Sequence, residues 1–259
     1  MSYTADRTAR PSARRRYGDA VESLKARAQK SRRGAPPYSL LVNRPAGRRI
    51  AAAASVLGLT PNSISLISGT VSAVGLVAFA AWSPSPLHVV VAVAALLVGY
   101  AIDSADGQLA RLTTGGTLAG EWLDHSLDMV KMSSFHVVIG ISLVRFPGSI
   151  GLDRRWAVAG VVMGFGVVAV TSFFVFVLTD LLRRQVGGAG PPRPTAWWFM
   201  LLGAPTDYGV QCLWLLTRPW PRLFFGGYTL LAVANLGYLC VGMRSRFGQL
   251  RALDRERAA

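Results

Sequence analysis

Residues 86–131 read PLHVVVAVAALLVGYAIDSADGQLARLTTGGTLAGEWLDHSLDMVK. No charge interrupts this run before Asp103, and about 20 such residues suffice to cross the hydrocarbon core of a bilayer. Acids then crowd in: five of the chain's thirteen Asp and Glu are Asp103, Asp106, Glu121, Asp124 and Asp128. They fall at the end of one predicted spanning helix and the start of the next. A charge inside such a helix costs about 2.5–3.5 kcal/mol on insertion scales, so acids placed there point to function. Asp103 and Asp106 stand at i and i+3, Asp124 and Asp128 at i and i+4, so each pair shares one helical face. The short turn Thr113–Gly116 predicts antiparallel helices whose acidic faces meet. Four converging carboxylates repel one another unless cations lie between them. Oxygen ligands without cysteine or clustered histidine point to Mg²⁺ or Mn²⁺ rather than zinc. Two divalent ions sharing these carboxylates could clamp a diphosphate and stabilise both entering and leaving oxygens. Gly107 would let a ligand approach the backbone, and Arg111, one turn on, supplies a cation for phosphate.

The rest of the chain fits a membrane setting. Hydrophobic residues make up 51% of the 259, only 16% are charged, and the mean hydropathy is +0.36. An ordinary soluble domain carries roughly 25% charge, so a soluble enzyme and a disordered chain are both excluded. Cys212 and Cys240, the only two cysteines, lie in apolar runs, which excludes a disulfide scaffold and a multi-cysteine zinc site. The net charge of +15 is concentrated at the start: residues 1–49 hold thirteen Lys and Arg against Asp6, Asp19 and Glu22. A basic tail on an apolar body suits anionic headgroups rather than nucleic acid. That tail has no apolar core of a signal peptide and is expected to be solvated and partly disordered.

Six spans are expected: Pro61 to Trp82, Pro86 to about Leu112, Thr117 to about Val144, Trp156 to Leu182, about Thr195 to Leu216, and Leu223 to Met243. The fifth is broken by Pro205, Thr206 and Asp207. Arg44–Gly58 predicts an amphipathic helix lying in the interface. The fold class is therefore all-α integral membrane, with six transmembrane helices after an N-terminal interfacial helix. Three regions are expected: a basic cytosolic tail (1–40), a membrane domain (41–245) and a basic cytosolic C-terminal tail (246–259). Lys and Arg placement predicts both termini, the Arg111 turn and 183–193 in the cytosol, with Arg145, Arg154, Arg155, Arg218 and Arg222 opposite. The tryptophans Trp82, Trp156, Trp197, Trp198 and Trp220 near span ends suit an interfacial belt. Gly160, Gly164 and Gly166 suit close helix packing.

The pattern Asp103-x2-Asp106-Gly107-x2-Ala110-Arg111-x8-Gly120-x3-Asp124-x3-Asp128 resembles the complete signature of the CDP-alcohol phosphatidyltransferase family. The Thr60-Pro61-Asn62-Ser63-Ile64-Ser65 stretch and the six-helix plan are similar to the same family, over roughly residues 40–245. The resemblance implies a membrane enzyme, usually a homodimer, with its site at the cytoplasmic face of the cell membrane. It would displace CMP from a CDP-alcohol, often CDP-diacylglycerol, with the hydroxyl of a second alcohol. By matching position, Asp103, Asp106, Asp124 and Asp128 would bind two divalent ions, and Asp128 would act as general base. Gly107, Ala110, Arg111, Thr117, Gly120, Asn62 and Ser65 would line the CDP-alcohol site.

Other residues suit subsidiary roles. Lys131 stands on the Asp128 face of an apolar helix, where a cation suits an anionic acceptor or a metal-site carboxylate; snorkelling is the simpler alternative. Arg183 and Arg184 at a helix end suit topology anchors or acceptor contacts. His125 suits packing or support of the cluster, Glu121 support of it, His88 and His136 structure, and Asp180 or Asp207 an acceptor contact. The acceptor stays open: the basic residues suit a phosphorylated polyol such as inositol phosphate or glycerol phosphate, whereas Gly120–His125 is similar to amino-alcohol transferases. A small ion or proton transporter is the rival from another class. It needs neither Gly107, Arg111 and Gly120 at fixed spacing nor acids confined to two helices. A catalytically dead scaffold would not keep the intact quartet.

Overall fold

The computed structural model describes residues 12–26, 36–113, 115–151, 154–187 and 197–258, with the side chains of 197–199 excepted. Nine α-helices run in order among the described residues, and no strand occurs there. They are α1 (Ala13–Ala26), α2 (Arg44–Leu57), α3 (Pro61–Ala81), α4 (Pro86–Thr113), α5 (Leu118–Arg145), α6 (Arg155–Gln185), α7 (Trp197–Leu202), α8 (Tyr208–Trp214) and α9 (Pro221–Ala258). Five of them, α3, α4, α5, α6 and α9, are long and apolar enough to cross a membrane.

Local chemistry sets the boundaries. Thr60 caps α3, its hydroxyl accepting from the Ser63 amide at 3.2 Å, and Pro61 occupies the first turn where no amide is needed. Thr117 caps α5 in the same way, accepting from the Gly120 amide at 3.0 Å. Between α4 and α5 the chain reverses through Gly115 and Gly116, at φ +77° and +95°, a region that L side chains rarely adopt. That reversal sets the acidic ends of α4 and α5 side by side.

The long helices turn apolar side chains outward. Val74, Val77, Val137, Val144, Met163 and Val241 are each more than half exposed. So much exposed hydrocarbon on a folded protein marks a lipid-facing surface. The interior gathers Phe135, Ile139, Phe165, Phe224 and Tyr228. Close approach occurs between α3 and α4, where Gly75 and Gly99 meet the facing helix. The expectation that Gly160 and Gly164 serve helix packing is not met, because nothing lies within 4 Å of the position of a Cβ on either. Gly166 does abut a neighbour, His136 on α5. Trp82, Trp156 and Trp220 are exposed near helix ends, as an interfacial belt requires.

One further expectation is corrected and one is refined. The fifth span is not one helix: among the described residues it comprises α7, a 3₁₀ turn Ala204–Thr206, α8 and a second 3₁₀ turn Leu215–Thr217. Thr195 lies outside the described residues. Pro205 has no amide to continue a helix, and Asp207 starts a new one by accepting from the Gly209 amide at 3.0 Å. The freed carbonyl of Pro205 is taken by Gln211 at 3.0 Å and Asn235 at 2.8 Å. Irregular backbone at membrane depth persists only where protein satisfies it in this way. The refinement concerns the basic tail, of which residues 12–26 and 36–40 are described. Ala13–Ala26 is helical and buries Leu24 completely in a cluster with Ala51, Ala52, Ala54 and Leu109. Its apolar face packs against α2 and α4. The predicted interfacial helix forms as α2, with Gly47 pressed against Ser104 and Gln108 on α4.

The two ends of the bundle differ. At one end Arg184 of α6 meets Glu121 of α5, and Arg183 bonds Gln249 of α9 at 3.1 Å. At the other, Arg222 bonds the Ser149 carbonyl at 3.3 Å. Arg218, read from sequence as a topology charge, is fully buried there. It donates to the carbonyls of Ser142 at 2.8 Å and Phe146 at 2.7 Å, closing the last turn of α5. Between Gly187 and Pro221 the chain therefore passes from one end of the bundle to the other.

Candidate active site

Asp103, Asp106 and Asp124 each point a carboxylate oxygen into one small volume, all within 4.8 Å of one another. Asp124, His125 and Asp128 form an overlapping group on the same criterion. Four acids separated by up to 25 positions in sequence are thus brought together by the α4–α5 hairpin, as the helical spacing predicts. Only oxygen donors come from the quartet, which fits a hard divalent cation.

Asp103, Asp106 and Asp128 are each held from behind. Asp106, nearly buried, accepts from the Ser65 hydroxyl of α3 at 2.5 Å and from the Gly107 amide. Asp103 lies 3.4 Å from the Ser68 hydroxyl, which also donates to the Gly99 carbonyl at 2.9 Å. Lys131, almost wholly buried, stands between the two acidic pairs. Its ammonium lies 2.6 Å from Asp128 and 3.2 Å from Asp103. The faces of Tyr100 and Tyr208 flank it, with centroids at 5.9 and 5.5 Å. A buried cation between two acids on facing helices is strongly held, because removing either partner strands a charge.

The residues expected around a donor fall into two groups. A Cβ on Gly107 would lie 3.4 Å from the Arg111 guanidinium, so the backbone and the cation there face one space. A Cβ on Gly120 would lie 3.0 Å from the Thr117 hydroxyl and 3.1 Å from the Asn62 side-chain oxygen. Gly120, Thr117 and Asn62 therefore form one wall. Ala110 sits on α4 beside Arg111, and its carbonyl accepts from the Gly115 amide at 2.7 Å.

Residues expected at an acceptor are placed less uniformly. Arg184, exposed, pairs with Glu121 at 2.7 Å and with Asp180 at 2.5 Å. Glu121 lies 3.8 Å from His125, whose other ring nitrogen is 4.0 Å from Asp124. Arg184 thereby adjoins the rim of the acidic group, whereas Arg183 bonds Gln249 on α9. Asp207 serves the fold, accepting from the Ser39 amide at 3.0 Å and capping α8. His88 and His136 bond Ser83 and Tyr228, in keeping with structural roles.

Sequence reading missed Ser68, Tyr100 and Tyr208. Ser68 was detectable: Ser65, Ser68 and Ser72 recur at helical spacing on a largely apolar span, and all three are buried. Tyr100 lies one turn before Asp103. Tyr208 arrives from the broken passage, and no local pattern could assign it to the site.

A model of the family described as CDP-alcohol phosphatidyltransferase matches residues 58–216, more than half of the chain and the whole acidic hairpin. No curated protein matches the chain.

Proposed function

The chain belongs to the CDP-alcohol phosphatidyltransferase family, and from that premise we propose the roles of its residues. The protein is a multi-pass membrane enzyme that transfers a substituted phosphate from a CDP-alcohol to the hydroxyl of a second alcohol, releasing CMP. The donor is CDP-diacylglycerol, since the lipid-facing bundle lets acyl chains stay in the bilayer while the diphosphate reaches the acids. The observation that supports this best is the meeting of Asp103, Asp106 and Asp124, with Asp128 one turn further along α5. These four carboxylates hold two divalent ions, Mg²⁺ or Mn²⁺. When bound, such ions neutralise the diphosphate and the developing charge on the leaving oxygen. Arg111 and the backbone at Gly107 receive the donor phosphates; Asn62, Thr117, Gly120, Ser65 and Ala110 shape the space beside them. Asp128 accepts the proton of the attacking hydroxyl.

The acidic end of the bundle faces the cytoplasm of the cell, with both termini on that side and the chain acting as a homodimer. The passage between Gly187 and Pro221 supplies the sixth crossing that this orientation needs. A phosphorylated polyol, such as inositol phosphate or glycerol phosphate, is the acceptor that suits Arg183 and Arg184. Exposed ion pairs like those of Arg184 are worth only about 0–1 kcal/mol, so a phosphate can replace them. An amino alcohol is the second reading. It is favoured by Lys131, whose buried bridge to Asp103 and Asp128 leaves one cation fewer for phosphate.

The test is CMP release from CDP-diacylglycerol by purified protein with Mg²⁺ or Mn²⁺ and a panel of acceptors. Release with inositol phosphate or glycerol phosphate supports the leading reading, and release with choline or ethanolamine the second. Absence of divalent-dependent CMP release with every acceptor sinks both.

A further inference from the structure

The ammonium of Lys131 sits where carboxylates from both acidic helices meet, 3.2 Å from Asp103 and 2.6 Å from Asp128. It is not part of the spacing that defines the acidic motif, being three residues beyond Asp128. Asp103, Asp106 and Asp124 already converge within 4.8 Å without needing Asp128. The quartet therefore contains two unequal places for a cation. One is walled by three aspartates. The other, around Asp128, lies nearest the protein's own lysine, whose ammonium is 2.6 Å from Asp128 against 3.2 Å from Asp103 and is held between Tyr100 and Tyr208.

Charge arithmetic gives this asymmetry a consequence. Four carboxylates and one ammonium carry three net negative charges. One divalent ion leaves one negative charge, and a second makes the site positive. Burial makes an uncompensated positive charge costly, so the second ion needs a further anion. A diphosphate provides it. We propose that Lys131 is a positioning residue that reserves the second cation place until the donor arrives, so that one divalent ion binds the resting enzyme and the second binds together with the diphosphate. This inference rests on the proposed two-ion reading of the quartet and goes beyond it by ordering the loading.

The experiment is Mn²⁺ binding to purified protein in detergent, followed by electron paramagnetic resonance with and without CDP. Wild type is expected to bind one Mn²⁺ per chain alone. Adding CDP should strengthen a second site at least tenfold and produce the broadened signal of a spin-coupled pair. Lys131→Gln should bind the second Mn²⁺ at least tenfold more tightly than wild type in the absence of CDP. Retention of its first ion shows that the variant is folded. Lys131→Arg, which keeps the charge, should keep the wild-type order of loading. Two equal sites in wild type without CDP overturn the inference, as does a second site unchanged or weakened in Lys131→Gln; the two-ion reading survives either result. If Lys131→Gln loses both ions through misfolding, the wild-type and Lys131→Arg titrations decide by the same criterion. No Mn²⁺ bound to wild type under either condition overturns both the inference and the reading beneath it.

Discussion

On the proposed reading, Ser65 and Asp128 divide the work at the acidic hairpin. Ser65 comes from α3, outside the hairpin, and its hydroxyl donates to Asp106 at 2.5 Å. Partners of this kind hold ligand orientation and typically contribute 10–100-fold, roughly, to metal affinity. Ser65→Ala should therefore weaken Mn²⁺ binding by about that factor. A titration showing unchanged affinity would reduce Ser65 to packing. Asp128 is expected to separate binding from chemistry. With Asp103, Asp106 and Asp124 intact, Asp128→Asn should still bind the CDP-alcohol while single-turnover transfer falls by roughly 10²–10⁴-fold. Arg111→Ala should do the reverse, losing donor affinity through a charge-assisted contact worth about 1.5–3 kcal/mol. Measuring donor affinity and single-turnover rate on both variants distinguishes the roles. Should Asp128→Asn lose donor binding as fully as Asp103→Ala, Asp128 is chiefly a metal ligand and another group takes the proton.

At the scale of elements, α3 and α4 cross closely because Gly99 has no side chain. A Cβ there would meet the Ser72 hydroxyl and lie 3.1 Å from the Ser72 amide nitrogen and 3.3 Å from the Ser68 carbonyl. Neither backbone group can yield cheaply. Gly99→Val should cost about 1–3 kcal/mol by overpacking, read as a lower thermal midpoint in detergent. Gly160→Val on α6, where nothing lies within 4 Å, is the control and should leave the midpoint nearly unchanged. Equal effects at the two glycines would mean that helix propensity, not the crossing, decides. The same pair of helices shows how legible the elements were. Hydropathy places α3 to α6 within a few residues, because it is a property of the local chain. The break at Pro205 and Asp207 was visible too. Its outcome was not, since Gln211 and Asn235 satisfy the Pro205 carbonyl from different parts of the fold.

For the whole molecule, the decisive question is which side the acidic end faces. α9 has 38 residues, which at about 1.5 Å each exceeds the roughly 30 Å hydrocarbon core and carries its basic end beyond the bilayer. Positive charge there and on α1 favours the cytosol. In a Cys240→Ser background, Ser12→Cys and Ala258→Cys should both resist membrane-impermeant thiol reagents in intact cells and react after permeabilisation. Cys212 is buried and should stay silent. Labelling of either introduced cysteine from outside reverses the orientation and with it the cytoplasmic placement of the site.

The sequence by itself determined that the chain is helical and built for a bilayer, and that Asp103, Asp106, Asp124 and Asp128 come together. Those conclusions depend on hydropathy and on a period of 3.6, both local properties of the chain. Tertiary structure alone decided that Lys131 bridges Asp103 and Asp128, that Tyr208 flanks it from a broken passage, and that α1 anchors itself through Leu24. These depend on which faces meet. Lys131 is a snorkelling lysine, an acceptor contact or an internal counter-ion according to what the opposite helix presents. The helix that carries it presents the same face in every case, so only the packed bundle could distinguish them.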